Sequence, residues 1–320
     1  MPSAWLASLA GLVLRPCVAT GLMVSVLVPQ MAVKPAAFEY HAPESIDDVV
    51  GLLAEHGDEA KPLAGGQSLV PMLALRLARF EHVVDLNRVP ALAGIERADG
   101  TVAVGAMTRQ AELERSDAAV AVPLLGLAAP LIGHFQIRNR GTVGGSIAHA
   151  DPAGELPTVA LALDAELDVT STAGTRTVAA SELFAGTWET TLAPEELLTR
   201  VRFPVWPGRS GFAVDEVARR YGDFALAGVA CGVELDADGV VLRAAIALLG
   251  LGSMPVRASA AEAAIVGRAP SADGLSEIGR LAVADLEPTT DIHASGEYRR
   301  AVGAHVVARG LGTALARAGG

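Results

Sequence analysis

Two glycine pairs, about eighty positions apart, constrain this chain more than any other feature. The first lies in residues 61–72, Lys-Pro-Leu-Ala-Gly-Gly-Gln-Ser-Leu-Val-Pro-Met. The second lies in residues 140–157, Arg-Gly-Thr-Val-Gly-Gly-Ser-Ile-Ala-His-Ala-Asp-Pro-Ala-Gly-Glu-Leu-Pro. Each pair sits beside a small hydroxyl residue where an extended pattern gives way to a helical one. In a chain with 34 glycines, one such pair by itself reads as a plain turn. Two with the same surroundings read as anion cradles, because backbone N–H groups reach a diphosphate only where φ can turn positive and no Cβ intervenes. Ser68 is placed to cap a helix through Leu75, with Pro71 tolerated in its first turn. The positive end of that helix then faces the same anion.

Neither loop has the G-x-G-x-x-G spacing of a dinucleotide fold, and no G-x-x-x-x-G-K-[ST] loop occurs. A third segment, residues 216–225, Glu-Val-Ala-Arg-Arg-Tyr-Gly-Asp-Phe-Ala, completes a series of three motifs in order. From about Lys34 to the C-terminus the series resembles the FAD-binding medium subunits of molybdenum hydroxylases. That family includes the flavoprotein subunits of carbon monoxide, xanthine and aldehyde dehydrogenases. The resemblance implies an α+β fold: a two-subdomain, PCMH-like FAD-binding domain, followed by a domain of antiparallel sheet plus helical bundle.

Composition agrees. A net charge of −11 without a basic run argues against nucleic acid as a partner, and 51% hydrophobic residues suffice for a large core. Cys17 and Cys231 stand far apart, so no metal, cluster or disulfide framework is expected, and incidental thiols in a reducing cytoplasm are the favoured reading. Residues 1–33 read as an extension outside the fold. Their apolar runs are broken by Arg15-Pro16 and are too short to span a bilayer. Membrane association is not expected, and Met31 opens a segment like a family start.

Residues 34–207 are expected to form the FAD-binding domain, in subdomains of about 34–90 and 91–207, and residues 211–320 the C-terminal domain. The first subdomain reads strand, helix, strand, helix, strand, with Ser45 and Asp48 as a capping box and the first glycine loop at the carboxyl end of a strand. In the second, Thr108 caps a helix, residues 123–132 form one apolar helix, and Asp151-Pro152 opens another. A hairpin turns at Ala173-Gly174. Pro204, Pro207 and Gly208 mark the boundary. Beyond it come strands 226–235 and 240–249, then helices over 259–266, 275–284 and 298–315.

The site residues follow from the resemblance. It implies that Leu63, Ala64, Gly65, Gly66, Gln67, Ser68 and Leu69 bind the FAD diphosphate, and that Thr142, Val143, Gly144, Gly145 and Ser146 do so from the second loop. Glu155 matches a family acid that accepts from a sugar or ribityl hydroxyl, and equally reads as a first-turn acid favoured by the helix dipole. A looser alignment puts Gly133 and Leu198 beside the flavin. Arg219, Arg220, Tyr221 and Asp223 have two readings, a loop near the flavin ring or a surface turn, and no catalytic residue is named among them. His134 and His149 lack partners at metal-ligand spacing and read as structural. The implied function is an FAD-carrying electron-transfer subunit. Its expected partners are a molybdenum-cofactor large subunit and a small subunit with [2Fe–2S] clusters, in a dimer of heterotrimers. A free-standing flavin reductase or oxidase, or a scaffold with an empty flavin site, are the alternatives.

Overall fold

A computed structural model describes residues 34–269 and 271–319, together with the backbone of residues 13–19 and 22–28. The latter pair as strands β1 (Val13–Ala19) and β2 (Leu22–Val28), antiparallel. The readings of residues 1–33 as an extension, of Met31 as a start and of Cys17 as an incidental thiol otherwise lie outside the described residues.

The first unit is β3 (Glu39–His41), α1 (Ile46–His56), β4 (Ala60–Leu63), α2 (Leu69–Ala74) and β5 (His82–Asp85). Its sheet is parallel, in the order β3-β5-β4. Helix α1 starts where Ser45 Oγ accepts from the Asp48 N–H at 3.1 Å, and it buries Val49, Val50 and Leu53 against Val84 and Leu86. The strand order leaves the carboxyl end of β4 free to carry the first glycine loop.

The second unit holds β6 (Ile95–Ala98), β7 (Thr101–Gly105), α3 (Gln110–Arg115), α4 (Asp117–Ala121), α5 (Pro123–Ala128), α6 (Phe135–Arg138), α7 (Val143–His149) and α8 (Glu155–Ala162). It continues through β8 (Glu166–Ser171), β9 (Gly174–Ala179), α9 (Ala180–Leu183), β10 (Phe184–Gly186), β11 (Glu189–Thr190) and β12 (Leu197–Pro204). Five strands form an antiparallel sheet, β6-β7-β12-β8-β9, with the last strand in sequence at its centre.

Several expected boundaries move here, each for a local reason. Thr108 does not cap α3. Its buried hydroxyl instead closes the Gly94 turn, accepting from Gly94 N–H at 3.0 Å and donating to its carbonyl at 2.9 Å. Residues 123–132 do not form one helix: Pro130 lacks an N–H, so α5 gives way to a 3₁₀ turn, and α6 intervenes before the glycine loop. Asp151 does not open α8. It closes an Asx turn on the Ala153 N–H at 2.9 Å, and Gly154 takes the N-cap. The β8–β9 hairpin turns one residue early, at Thr172-Ala173, since Gly174 already pairs with Ser171.

The last unit is the antiparallel sheet β13 (Arg209–Ala218), β14 (Ala225–Leu235), β15 (Val241–Leu249) and β16 (Val256–Arg257), covered by α10 (Ser259–Ile265), α11 (Ala272–Ala282) and α12 (Gly296–Gly319). Strand β14 is buried on both faces, which explains its run of small apolar residues without alternation. One face, with Val229, Cys231 and Val233, packs under the helices, while Ala230 joins the core of the second unit. At the chain's crossing, Trp206 lies edge-on to Phe212 at 5.2 Å, with the Arg243 guanidinium 3.8 Å above its ring.

Candidate flavin site

The two glycine loops meet. A Cβ on Gly65 would stand 2.7 Å from Gly141 Cα and in collision with the Arg140 carbonyl, and one on Gly145 would stand 3.1 Å from Ala64 Cβ. Glycine at 65 serves close approach of backbone to backbone, and at 145 it leaves room for the Thr142 hydroxyl, 2.6 Å from where a Cβ would stand. Only Gly66 of the four has positive φ, +72°, so the expectation that both pairs supply φ > 0 holds for one residue alone.

The loops differ in what they can offer a ligand. At the second, Val143 N–H donates to Thr108 O (3.0 Å), Gly144 to Ala106 O (2.8 Å), Gly145 to Thr142 Oγ1 (3.1 Å) and Ser146 to Thr142 O (3.1 Å). Helix α7 is thus capped by Thr142, and its leading donors are taken. At the first, none of the N–H groups of Gly65, Gly66, Gln67, Ser68 and Leu69 has a protein acceptor among the described residues. Ser68 does not cap α2. Its own backbone is helical and its carbonyl already accepts from Met72 at 3.1 Å, while Gly66 O accepts from Val70 at 3.1 Å, so the turn begins two residues earlier, at Gly66. A row of five backbone donors without partners is what a diphosphate requires.

Two residues that sequence reasoning missed, Asn87 and Arg109, clamp the loops together. Asn87 Nδ2 donates to Ala64 O at 3.1 Å, Arg109 Nη2 to Asn87 Oδ1 at 2.6 Å, and Arg109 Nη1 to Arg140 O. Asn87 follows the carboxyl end of β5, beside that of β4, and this position could have flagged it. The Arg109 contacts span 22 and 31 residues, with no local signature.

Beyond the loops, Glu155 is the first residue of α8, and burial raises its carboxyl to about 8. At neutral pH it therefore keeps its proton and donates as well as accepts, unlike the carboxylate expected from sequence. Glu216 of β13 adds to this shift, and its own carboxyl is raised to about 7, first by burial and then by Asp215. Its Oε2 is buried without a hydrogen-bond partner. His149, at the end of α7, stacks on Trp188 at 6.1 Å, and burial lowers its pKa. Trp188 Nε1 donates to Asp151 Oδ2 at 3.1 Å, and Ala150 and Trp188 both hold positive φ, +53° and +59°.

Gly133 takes φ +50°, and its carbonyl accepts from the buried Arg138 at 3.0 Å. It adjoins His134, whose ring lies 5.9 Å from that of Tyr221. Tyr221 OH reaches Pro130 O at 3.0 Å, so the 219–223 segment leans on the turn before α6. Arg219 instead contacts His293, at 2.7 Å. Leu198 sits in β12 with its side chain in the main core.

Residues 36–206 match the family described as the FAD binding domain in molybdopterin dehydrogenase. The chain belongs to that family. Residues 212–314 of this family member match the CO dehydrogenase flavoprotein C-terminal domain. It is 44% identical to the 6-hydroxypseudooxynicotine dehydrogenase complex subunit alpha of Paenarthrobacter nicotinovorans, over 89% of this chain and 97% of that one. It is 38% identical to the carbon monoxide dehydrogenase medium chain of Hydrogenophaga pseudoflava, over 88% and 99%. Among solved structures, carbon monoxide dehydrogenase from H. pseudoflava lacking the Mo-pyranopterin moiety superimposes with a TM-score of 0.86 at 40% identity, covering 88% of this chain and 99% of that one. Quinoline 2-oxidoreductase from Pseudomonas putida 86 gives 0.84 at 36% identity, over 89% and 99%. This medium subunit is thus part of an oxidoreductase, and its cofactor is FAD. The donor row of the first loop fits that cofactor's diphosphate.

Proposed function

We propose that this subunit is where electrons leave a molybdenum hydroxylase. A large subunit with the molybdenum cofactor oxidises the substrate, iron–sulfur clusters of a small subunit relay the electrons, and this chain passes them to an external acceptor. FAD supplies the redox chemistry when bound, and the chain supplies binding, orientation and electrostatics. The five free N–H groups over residues 65–69 carry the assignment of the diphosphate to the first loop. Leu63 and Ala64 set the start of that loop. Residues 142–146 form the wall that holds it, and Glu155 donates to a ribityl or sugar hydroxyl. Gly133, His134 and Tyr221 flank the ring. The complex is a dimer of heterotrimers working in the cytoplasm, which the acidic balance and the two cysteines suit.

The test is omission. The three subunits are expressed together and separately, and flavin and cluster absorption are followed after substrate is added. With all three, both cluster and flavin bands bleach and an external acceptor is reduced. Without this chain, the clusters still bleach but turnover with the acceptor stops. Unchanged acceptor reduction in its absence would refute the electron path, whereas a colourless chain would point to an empty scaffold.

A further inference from the structure

Three histidines converge around the start of β5, whose carboxyl end lies beside the first glycine loop. His41 closes β3, His56 closes α1 and His82 opens β5. The first glycine loop leaves from Leu63, level with Asp85 three residues further along β5, about 10 Å away. His41 Nε2 lies 3.0 Å from His82 Nδ1, and one nitrogen of each histidine lies within 4.8 Å of the others. The His56 and His82 rings stack at 3.7 Å with planes 9° apart. All three are partly buried, so their rotamers are restricted. Glu39 Oε2 is 3.6 Å from His82 Nδ1, and an open groove lined by Asp47, Asp48 and Glu55 runs up to His41.

We propose that His41, His56 and His82 bind a divalent transition-metal ion of the zinc class. Imidazole nitrogens about 2.0–2.1 Å from zinc in a tetrahedral set lie about 3.3 Å from one another. The His41–His82 separation is already close to that, and the remaining spacing closes by side-chain rotation. A metal lies in the plane of each ring that binds it, so binding turns His56 or His82 out of the stack. Glu39 Oε2, 3.6 Å from the same His82 Nδ1, is placed to supply a fourth ligand. The acidic groove favours a cation at its mouth. An all-imidazole core selects Zn²⁺, Ni²⁺ or Cu²⁺ over Mg²⁺ and Ca²⁺. The bound ion ties β3, the end of α1 and β5 together, and since it binds only the folded chain it stabilises the fold.

The full-length chain with its FAD, stripped with EDTA, is titrated with ZnCl₂ and separately with MgCl₂, by calorimetry and thermal melting. One equivalent of zinc binds and Tm rises, and magnesium does neither. His41→Ala and His56→Ala each weaken zinc binding by about tenfold or more, with flavin absorption unchanged. His56→Gln replaces His56→Ala if the latter does not fold. The nearby Glu59, Glu81 and His82 form a rival group, so the Glu59→Gln/Glu81→Gln double variant must keep full affinity. No saturable zinc binding, undiminished binding in His41→Ala and His56→Ala, or loss confined to the double glutamine variant would each overturn the proposal.

Discussion

Gly65 and Gly66 are adjacent but make different demands. Gly65 is required because the Arg140 carbonyl occupies the space of a Cβ, Gly66 because its φ is +72°. Gly65→Ala must therefore part the two loops, and it should yield a chain that purifies with little flavin and a lowered Tm. Gly66→Ala meets only Val70 Cγ2 at 3.1 Å and Leu63 Cδ1 at 3.3 Å, and its cost is chiefly the left-handed backbone, about 1–2 kcal/mol. It should fold and bind FAD more weakly. Full flavin content at wild-type Tm in Gly65→Ala would refute the docking of the loops. A second residue-scale prediction concerns Glu155 and Glu216, whose carboxyls are raised to about 8 and about 7. Both bind protons more tightly folded than unfolded. The stability they lend is complete below the ordinary carboxylate range and is lost as pH rises through 7 and 8. The flavin-free chain should then melt at falling temperature between about pH 5 and pH 8, and Glu155→Gln should flatten part of that slope. An equally steep profile in the variant would show that other groups carry it. The sequence identified Glu155 but not its protonation, because the burial that chiefly raises its pKa, and the approach of Glu216 from 61 residues away, arise only in the fold.

Elements were legible where local chemistry is sufficient. The capping box of α1, the strand before the first loop and the Asp236–Gly239 turn between β14 and β15 are each written within a few residues, and each forms. Caps failed where a hydroxyl or carboxylate had a competing partner. Thr108 is drawn to Gly94, 14 residues away, and Asp151 to Trp188, 37 residues away, and neither partner is visible from local spacing. Strand β13 went unread, although it carries Gly211, against which α12 packs. A Cβ there would collide with Ala314 O and stand 2.5 Å from Ala318 N. Gly211→Ala should lower Tm by the cost of overpacking, about 1–3 kcal/mol, since two backbones must separate. Gly312→Ala, on α12 itself, meets only Leu275 Cδ1 at 3.6 Å and should stabilise by up to about 1 kcal/mol through helix propensity. Thermal melts of the two variants shifting in the same direction would contradict this packing.

At the scale of the whole molecule, the core of the second unit continues into the last sheet through Phe212, Ala230, Ala245 and Ala247, so the helix of the second glycine loop and the last sheet share one core. The proposed function leaves substrate oxidation to a partner subunit. A pair of [2Fe–2S] clusters on the usual ligation takes about eight thiolates. The chain has two cysteines, and Cys231 is sealed in the core of the last sheet, its thiol pushed up to about 12. A buried thiol that holds its proton is not a cluster ligand. On the proposed function, electrons enter through contact with another protein. The exposed aromatic side chains of Phe135 and Tyr221, on segments that touch through His134, offer such a contact beside the turn at Gly133. The isolated chain should bind FAD and slowly reduce artificial acceptors from an added reductant, but hydroxylate no aldehyde, purine or N-heterocycle and oxidise no carbon monoxide. Adding the two partner subunits should restore turnover, and Tyr221→Ala should slow flavin reduction by the clusters per flavin bound. Substrate-dependent hydroxylation by the pure, metal-free chain would refute this division of labour.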